Sequence, residues 1–197
     1  MVDEVSQRWT HWRETVDLDE YHARFARMEA AGKGSHGEAD FIEGYHPTSV
    51  LDAGCGMGRV AIELHHGGIE VVGVDLDDDL LAYARADVPD IEWLHADLAT
   101  MTLGRIFDVV AMPGNVMIYC RTQDRGPIVA NLATHLGNGG LLIAGFTIDR
   151  GVGALTVDEY DNHCTRAGLV LLERYATWER DPFEAGNYAV SVYRRNR

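Results

Sequence analysis

Apolar runs and amphipathic stretches alternate along most of the chain. Val50-Leu51, Val71 to Val74, Ile91 to Leu94, Phe107 to Met112 and Leu141 to Ile148 are near-continuous apolar segments. A strand buried on both faces of a parallel sheet reads this way. Between them lie stretches whose apolar residues recur at helical spacing. Val60, Ala61 and Leu64 form one such face, Leu80, Leu81 and Ala84 another, and Ile128, Leu132 and Leu136 a third, on a helix predicted from Asp124 to Leu136. Asp77 to Asp79 suit the first turn of the second helix, where acids complement the helix dipole. Gly137, Gly139 and Gly140 are expected to stop the third. Thr156 and Glu159 form a capping box that opens a helix to Ala167. Leu169 to Trp178 and Asn187 to Arg194 then read as two long strands joined in a hairpin at the sheet edge. The pattern predicts an α/β fold: a doubly wound, mostly parallel seven-stranded sheet with an antiparallel C-terminal hairpin.

Ahead of this alternation the pattern changes. Trp9, Trp12, Val16, Tyr21, Phe25 and Met28 recur at mostly helical steps and predict one helix over residues 5–31. Gly32 and Gly34 break it. A second helix is expected from about His36 to Gly44, with Ala39, Phe41 and Ile42 as its apolar side. Residues 1–46 therefore read as a helical extension and 47–197 as the main domain. The extension covers the sheet or acts as a lid, with Tyr21 or Tyr45 facing a site. No internal repeat, low-complexity tract or linker marks a further domain.

The densest chemistry lies between Ser49 and Asp75, SVLDAGCGMGRVAIELHHGGIEVVGVD. A strand reaches an acid, Asp52; Gly54, Gly56 and Gly58 alternate with Cys55 and Met57; a helix follows; a second strand ends on Asp75. This is half of a Rossmann-like nucleotide-binding fold. Glycines let the backbone turn sharply and approach a ligand closely. Asp75 lies 21 residues after Gly54, and roughly 20 is the separation at which a carboxylate meets a ribose. The dinucleotide pattern G-x-G-x-x-G fails, because position 59 is Arg. No phosphate-binding Gly-Lys-Ser/Thr follows. Asp52 beside the turn repels a pyrophosphate and suits an ammonium or a sulfonium. S-adenosylmethionine carries both, with a ribose and an adenine.

On Asp52, the three alternating glycines and Asp75, the stretch resembles the first two motifs of the class I S-adenosylmethionine-dependent methyltransferases. The similarity extends over about residues 47–197. It implies that Asp52 accepts, directly or through water, from the methionine ammonium and that Gly54, Cys55 and Gly56 give backbone access. It implies that Asp75 binds ribose and Leu76 packs on adenine. Asp97 would hold the adenine amino group, with the Leu98 amide at the ring; the alternative for Asp97 is a helix or turn cap. Pro113 of Pro113-Gly114-Asn115 would border the methyl group. Asp108 matches an acid that opens the fourth strand and is expected to be structural. Met112-Pro113-Gly114-Asn115 departs from the Asn/Asp-Pro-Pro-Tyr/Phe signature of amino-methylating nucleic-acid enzymes, which counts against DNA or protein glutamine as acceptor.

The net charge of −14 disfavours nucleic acid further. Arg194, Arg195 and Arg197 form a basic end expected to fray. Cys55, Cys120 and Cys164 lie far apart, without metal-ligand spacing, and read as free thiols. MVDEVSQRW is no signal peptide, and no apolar run approaches the roughly 18 residues of a membrane span. A cytoplasmic enzyme acting on a small molecule is the expectation. A non-catalytic cofactor-binding protein and a protein or nucleic-acid methyltransferase are the alternatives. Candidates to orient or deprotonate the acceptor are Asn115, His46 and His22, each of which has a plain structural alternative. Tyr119, Thr147, Asp149, Trp178 and Phe183 could line an acceptor pocket. Oligomeric state is not readable.

Overall fold

The computed structural model describes residues 6–30, 37–148, 154–184 and 186–196. Its centre is the set of apolar runs. Strands β1 (Ser49–Ala53), β2 (Glu70–Asp75), β3 (Glu92–His95), β4 (Phe107–Met112) and β5 (Leu136–Thr147) pair in parallel in the order 3-2-1-4-5. β6 (Leu169–Tyr175) and β7 (Tyr188–Arg195) complete the seven-stranded sheet, β7 lying antiparallel between β5 and β6. Successive residues face opposite layers. Leu51, Val72, Val110 and Leu142 join one core, while Val50, Val71, Val109 and Ile143 join the other.

Helices α4 (Arg59–His66), α5 (Asp78–Asp87) and α7 (Thr122–Thr134) bury the apolar faces read from the sequence, save Leu136, which lies beyond α7; α8 (Val157–Arg166) buries Tyr160 and Cys164. Asp77 caps α5 by accepting from the Asp79 and Leu80 amides. Thr156 caps α8 by accepting from the Glu159 amide at 3.1 Å. The Glu159 carboxylate meets Arg125 at 3.1 Å. Asp108 stitches β4 to the chain entering β1, accepting from Thr48 N at 2.8 Å and Ser49 N at 3.2 Å. The Thr48 hydroxyl, donating at 2.6 Å, and these two amides hold its carboxyl below the usual range.

Several boundaries differ from the sequence expectation. The single N-terminal helix is two, α1 (Gln7–Thr15) and α2 (Leu18–Ala30). Val16 is extended, and Asp17 Oδ1 accepts from the Glu20 amide at 3.0 Å, an N-terminal stop-and-start signal inside an otherwise periodic stretch. The second expected helix is α3 (Gly37–Glu43); Gly32, Gly34 and His36 lie outside the described residues. β5 starts at Leu136, which pairs with Phe107. The glycines at 137, 139 and 140 therefore lie within the strand, where the register shifts between Phe107 and Val109. β6 stops at Tyr175, because residues 176–181 turn back through a bond from Ala176 N to Asp181 O at 2.8 Å. Arg195 does not fray: it is the last residue of β7 and donates to the carbonyls of Leu136 at 2.6 Å and Ala133 at 2.9 Å. An unforeseen helical turn, α6 (Val116–Tyr119), follows β4.

Strand order reverses at β1, which has β2 on one side and β4 on the other. Ligands of open α/β sheets bind at the carboxyl ends of the strands at such a point.

Candidate active site

At that end of the sheet a cavity of about 250 Å³ opens between the tips of β1 to β4 and helices α1, α2 and α6. Its floor is the glycine turn. Gly54, Gly56 and Gly58 all have positive φ. At Gly54 a Cβ would lie 2.6 Å from Val116 Cγ1, so the chain could not pass under α6. At Gly56 the nearest atom to an added Cβ is Leu80 Cδ1 at 3.9 Å. The open side of Gly56 lines the cavity, leaving its backbone free for close approach.

Asp52 is 1% exposed at the end of β1. Its Oδ2 accepts from the Ala61 amide of α4 at 3.1 Å, while Oδ1 has no hydrogen-bond partner. Burial pushes the carboxyl up to about 7, against the lowering influence of Arg59 and of the Ala61 amide. A buried acceptor left unsatisfied is rare and asks for an explanation. A donor, and a cationic one above all, would relieve it.

Asp75 closes β2. Its Oδ2 accepts from Gly56 N at 2.7 Å and its Oδ1 from Asp77 N at 2.9 Å. Burial raises its carboxyl, and those two amides pull it back. A carboxylate offers about four lone-pair sites, so capacity remains for hydroxyl donors. Asp97 and Leu98 follow β3 and line the same cavity. Asp97 is also a cap, accepting from the Ala99 amide at 2.8 Å. Asn131 of α7 fixes this loop by donating to the carbonyls of Leu98 at 2.9 Å and Met101 at 3.0 Å. Cys55, Leu76 and Pro113 complete the set: all nine positions that the resemblance assigns to the cofactor border one cavity.

The candidate orienting and proton-accepting residues lie elsewhere. Asn115 begins α6 in the left-handed conformation, and its Oδ1 accepts from Thr147 N at 2.7 Å. It holds the loop after β4 against β5. His46 precedes β1 at its amino end, whereas the cavity lies past its carboxyl end; five strand residues, about 16 Å, separate them. His22 of α2 sits on the outer side, its Nε2 2.7 Å from Asp87 Oδ2. None of the three lines the cavity. Tyr21 and Tyr119 do, whereas Tyr45 bonds Glu173 and Arg180. Thr147, Trp178 and Phe183 are not among the lining residues, and Asp149 is outside those described.

On the opposite wall sequence reasoning singled out Tyr21 and Tyr119 but missed Trp9 and Trp12 of α1 and Arg59 of α4, which also reach the cavity. Arg59 pairs with Glu38 of α3 through two contacts of 3.0 and 2.5 Å and lies 5.4 Å above the Phe25 ring. The signal for Trp9 and Trp12 was their spacing of three, which puts both on one helix face.

The general methyltransferase-domain family matches residues 50–140, the segment that builds this floor. A crystal structure of a TehB-like S-adenosylmethionine-dependent methyltransferase from Corynebacterium glutamicum is 32% identical, with a TM-score of 0.82 over 91% of this chain and 97% of that one. The chain belongs to the class I S-adenosylmethionine-dependent methyltransferases. Two curated methyltransferases are similar over shorter segments. One is the dTDP-3-amino-3,4,6-trideoxy-alpha-D-glucopyranose N,N-dimethyltransferase of Streptomyces venezuelae, 32% identical over 53% of this chain and 46% of that protein. The other is the magnesium-protoporphyrin O-methyltransferase of Rhodobacter capsulatus, 35% identical over 42% of this chain and 38% of that protein. The chain thus spans less than half the length of the curated relatives it matches. No described helix is long and apolar enough to cross a membrane.

Proposed function

We propose that this methyltransferase transfers a methyl group from S-adenosylmethionine to a small-molecule acceptor by in-line displacement. The observation that carries the reading is Asp52. Its Oδ1 is a buried acceptor without a partner, on a carboxyl that burial lifts to about 7. The methionine ammonium is the group that would satisfy it. Asp75 would take the ribose hydroxyls, Leu76 and Leu98 would flank the adenine, and Asp97 would accept from its amino group. The open side of Gly56 and the Gly54-Cys55 backbone would face the methionine chain, and Pro113 would border the methyl.

The cofactor supplies a methyl group already activated by the positive charge on sulfur. The protein's part is to align the nucleophile and exclude water, worth up to roughly 7–11 kcal/mol in ideal intramolecular models. α1 and α2 over the cavity mouth support a role for residues 1–46 as its lid, with 47–197 carrying the cofactor. A small acceptor is supported by the charge: Asp52, Asp75, Asp97 and Asp124 line the cavity beside Arg59 and Arg121, and both arginines already face carboxylates, Glu38 and Asp124. A phosphate backbone finds no uncompensated cation among these groups.

The test is labelled-methyl transfer by purified protein into a pooled metabolite extract and, in parallel, into RNA, DNA and protein fractions. Label in the metabolite arm alone is expected; label confined to a macromolecular arm would refute the acceptor class. Titration with S-adenosylhomocysteine checks the donor half independently.

A further inference from the structure

The wall facing the donor residues is a continuous chain of rings. Trp9 and Trp12 are stacked, with centroids 4.9 Å apart and planes at 22°. Tyr119 of α6 meets Trp9 edge-on at 5.6 Å. Tyr21 meets Trp12 edge-on at 5.3 Å, and Phe25 meets Tyr21 at 5.0 Å. All five rings line the cavity, and all five are only half-buried. Ser6 Oγ donates to the Tyr119 carbonyl, which ties the start of α1 to the end of α6 and keeps the row together. Such a row is more than a seat for α1: that helix has no buried residue, so its tryptophans keep ring surface exposed on the cavity side.

The other property of the cavity is its surplus of acid. Carboxylates outnumber guanidiniums among its lining side chains, four to two. Ring faces carry negative partial charge and attract cations, and more strongly away from water. Both features favour positive charge on whatever lies between the rings and the strand tips.

Resting on the donor assignment above, the geometry points to a flat, neutral nitrogen heteroaromatic as the acceptor, methylated on its ring nitrogen. The nitrogen lone pair forms the new bond to the methyl carbon, and the carbon–sulfur bond breaks with its electrons left on sulfur. One positive charge leaves the sulfonium and one appears on the ring nitrogen. No proton moves, so no base is required. The product is an aromatic cation set against aromatic faces, the surroundings that the ring row supplies. Nucleotide-linked acceptors fit poorly, because both lining arginines already face carboxylates.

The test uses the full chain saturated with S-adenosylhomocysteine, and measures binding of three probes by saturation-transfer NMR: isoquinoline, a saturated and likewise uncharged bicyclic analogue, 2-decalone, and thymidine diphosphate. Isoquinoline is expected to bind at least about tenfold more tightly than either other probe, in line with the strength of stacking on protein rings. Trp12→Leu should weaken isoquinoline binding at least about fivefold, and Trp12→Phe should restore most of it. Equal binding of the saturated analogue, preference for thymidine diphosphate, or indifference to Trp12→Leu would overturn the inference. Failure of S-adenosylhomocysteine to bind in the first step would instead overturn the donor assignment, so the two failures are distinguishable. With labelled donor, N-methylisoquinolinium is the expected product by mass.

Discussion

The Asp75 carboxylate at the end of β2 accepts from the Gly56 amide at 2.7 Å, joining the acid that ends one strand to the glycine turn that leaves its neighbour. The bond sets the carboxylate's orientation and holds the turn in its left-handed conformation. The two residues lie 19 apart in sequence and are brought together by parallel pairing of β1 with β2.

Asp75→Ala should therefore do two separable things. It leaves the Gly56 and Asp77 amides without their acceptor, at a cost of roughly 1–3 kcal/mol in urea unfolding. It also removes the proposed ribose acceptor and should weaken S-adenosylhomocysteine roughly 10- to 100-fold by calorimetry. Loss of stability with unchanged affinity would reduce Asp75 to a structural role.

Asp52 makes the protein's stability depend on pH. Its carboxyl titrates near 3.8 when unfolded and at about 7 when folded, so the folded state holds the proton more tightly. Stability from this group is full below about 4 and is lost as pH rises to about 7, a change on the order of a few kcal/mol. Asp52→Asn keeps an acceptor for the Ala61 amide and has no charge to bury. In thermal melts without ligand, the variant should exceed wild type at pH 8, by roughly 2–4 °C per kcal/mol recovered. The gap should close towards pH 5.

Much of the floor was legible in the sequence because local chemistry dictates it. Continuous Val/Leu runs give parallel strands, and glycines in a left-handed turn leave few alternatives for the chain between Asp52 and Val60. The two-layer core followed from the same pattern, since a period of two sends Leu51 and Val50 to opposite faces. What was not legible depends on contacts distant in sequence. His46 is a candidate only if the lid brings it to the site, yet strand direction puts it at the far end. Asn115 is consumed by Thr147, 32 residues on. Trp9 and Trp12 read as helix packing, and only the tertiary fold turns them onto the cavity. The Asp17–Glu20 cap was overlooked because the apolar rhythm runs through it.

The N-terminal helices are moored by polar contacts. Arg13 of α1 pairs with Asp77 at 2.5 Å and Asp79 at 2.7 Å; Tyr83 bonds Asp19 at 2.5 Å. The contacts to Asp79 and Asp19 are exposed, worth about 0–1 kcal/mol each and screened by salt, while the Arg13–Asp77 pair is partly buried. Arg13→Ala, or wild type in high salt, should speed amide exchange in residues 7–15 several-fold while the sheet amides are unchanged. Uniform exchange across both would show that α1 is an integral part of the core.

Asn131 touches no proposed ligand but holds the Leu98 and Met101 carbonyls. Asn131→Ala should cost about 1–3 kcal/mol. It should weaken S-adenosylhomocysteine more than adenosine-free analogues such as homocysteine, because the displaced loop carries the proposed adenine contacts. Equal losses for both would show that the loop is not an adenine support.

If the orphaned oxygen of Asp52 receives the donor's ammonium, the carboxyl gives up its proton on binding, and proton linkage reports that loss. S-adenosylhomocysteine, which retains that ammonium, is titrated calorimetrically at pH 6 and pH 8 in two buffers of different ionisation enthalpy. A carboxyl at about 7 is mostly protonated at pH 6 and mostly ionised at pH 8. Binding should release about one proton at pH 6 and almost none at pH 8, and Asp52→Asn should abolish the release and most of the affinity. Binding of undiminished strength to the variant, with no proton released at pH 6 by wild type, would contradict the account.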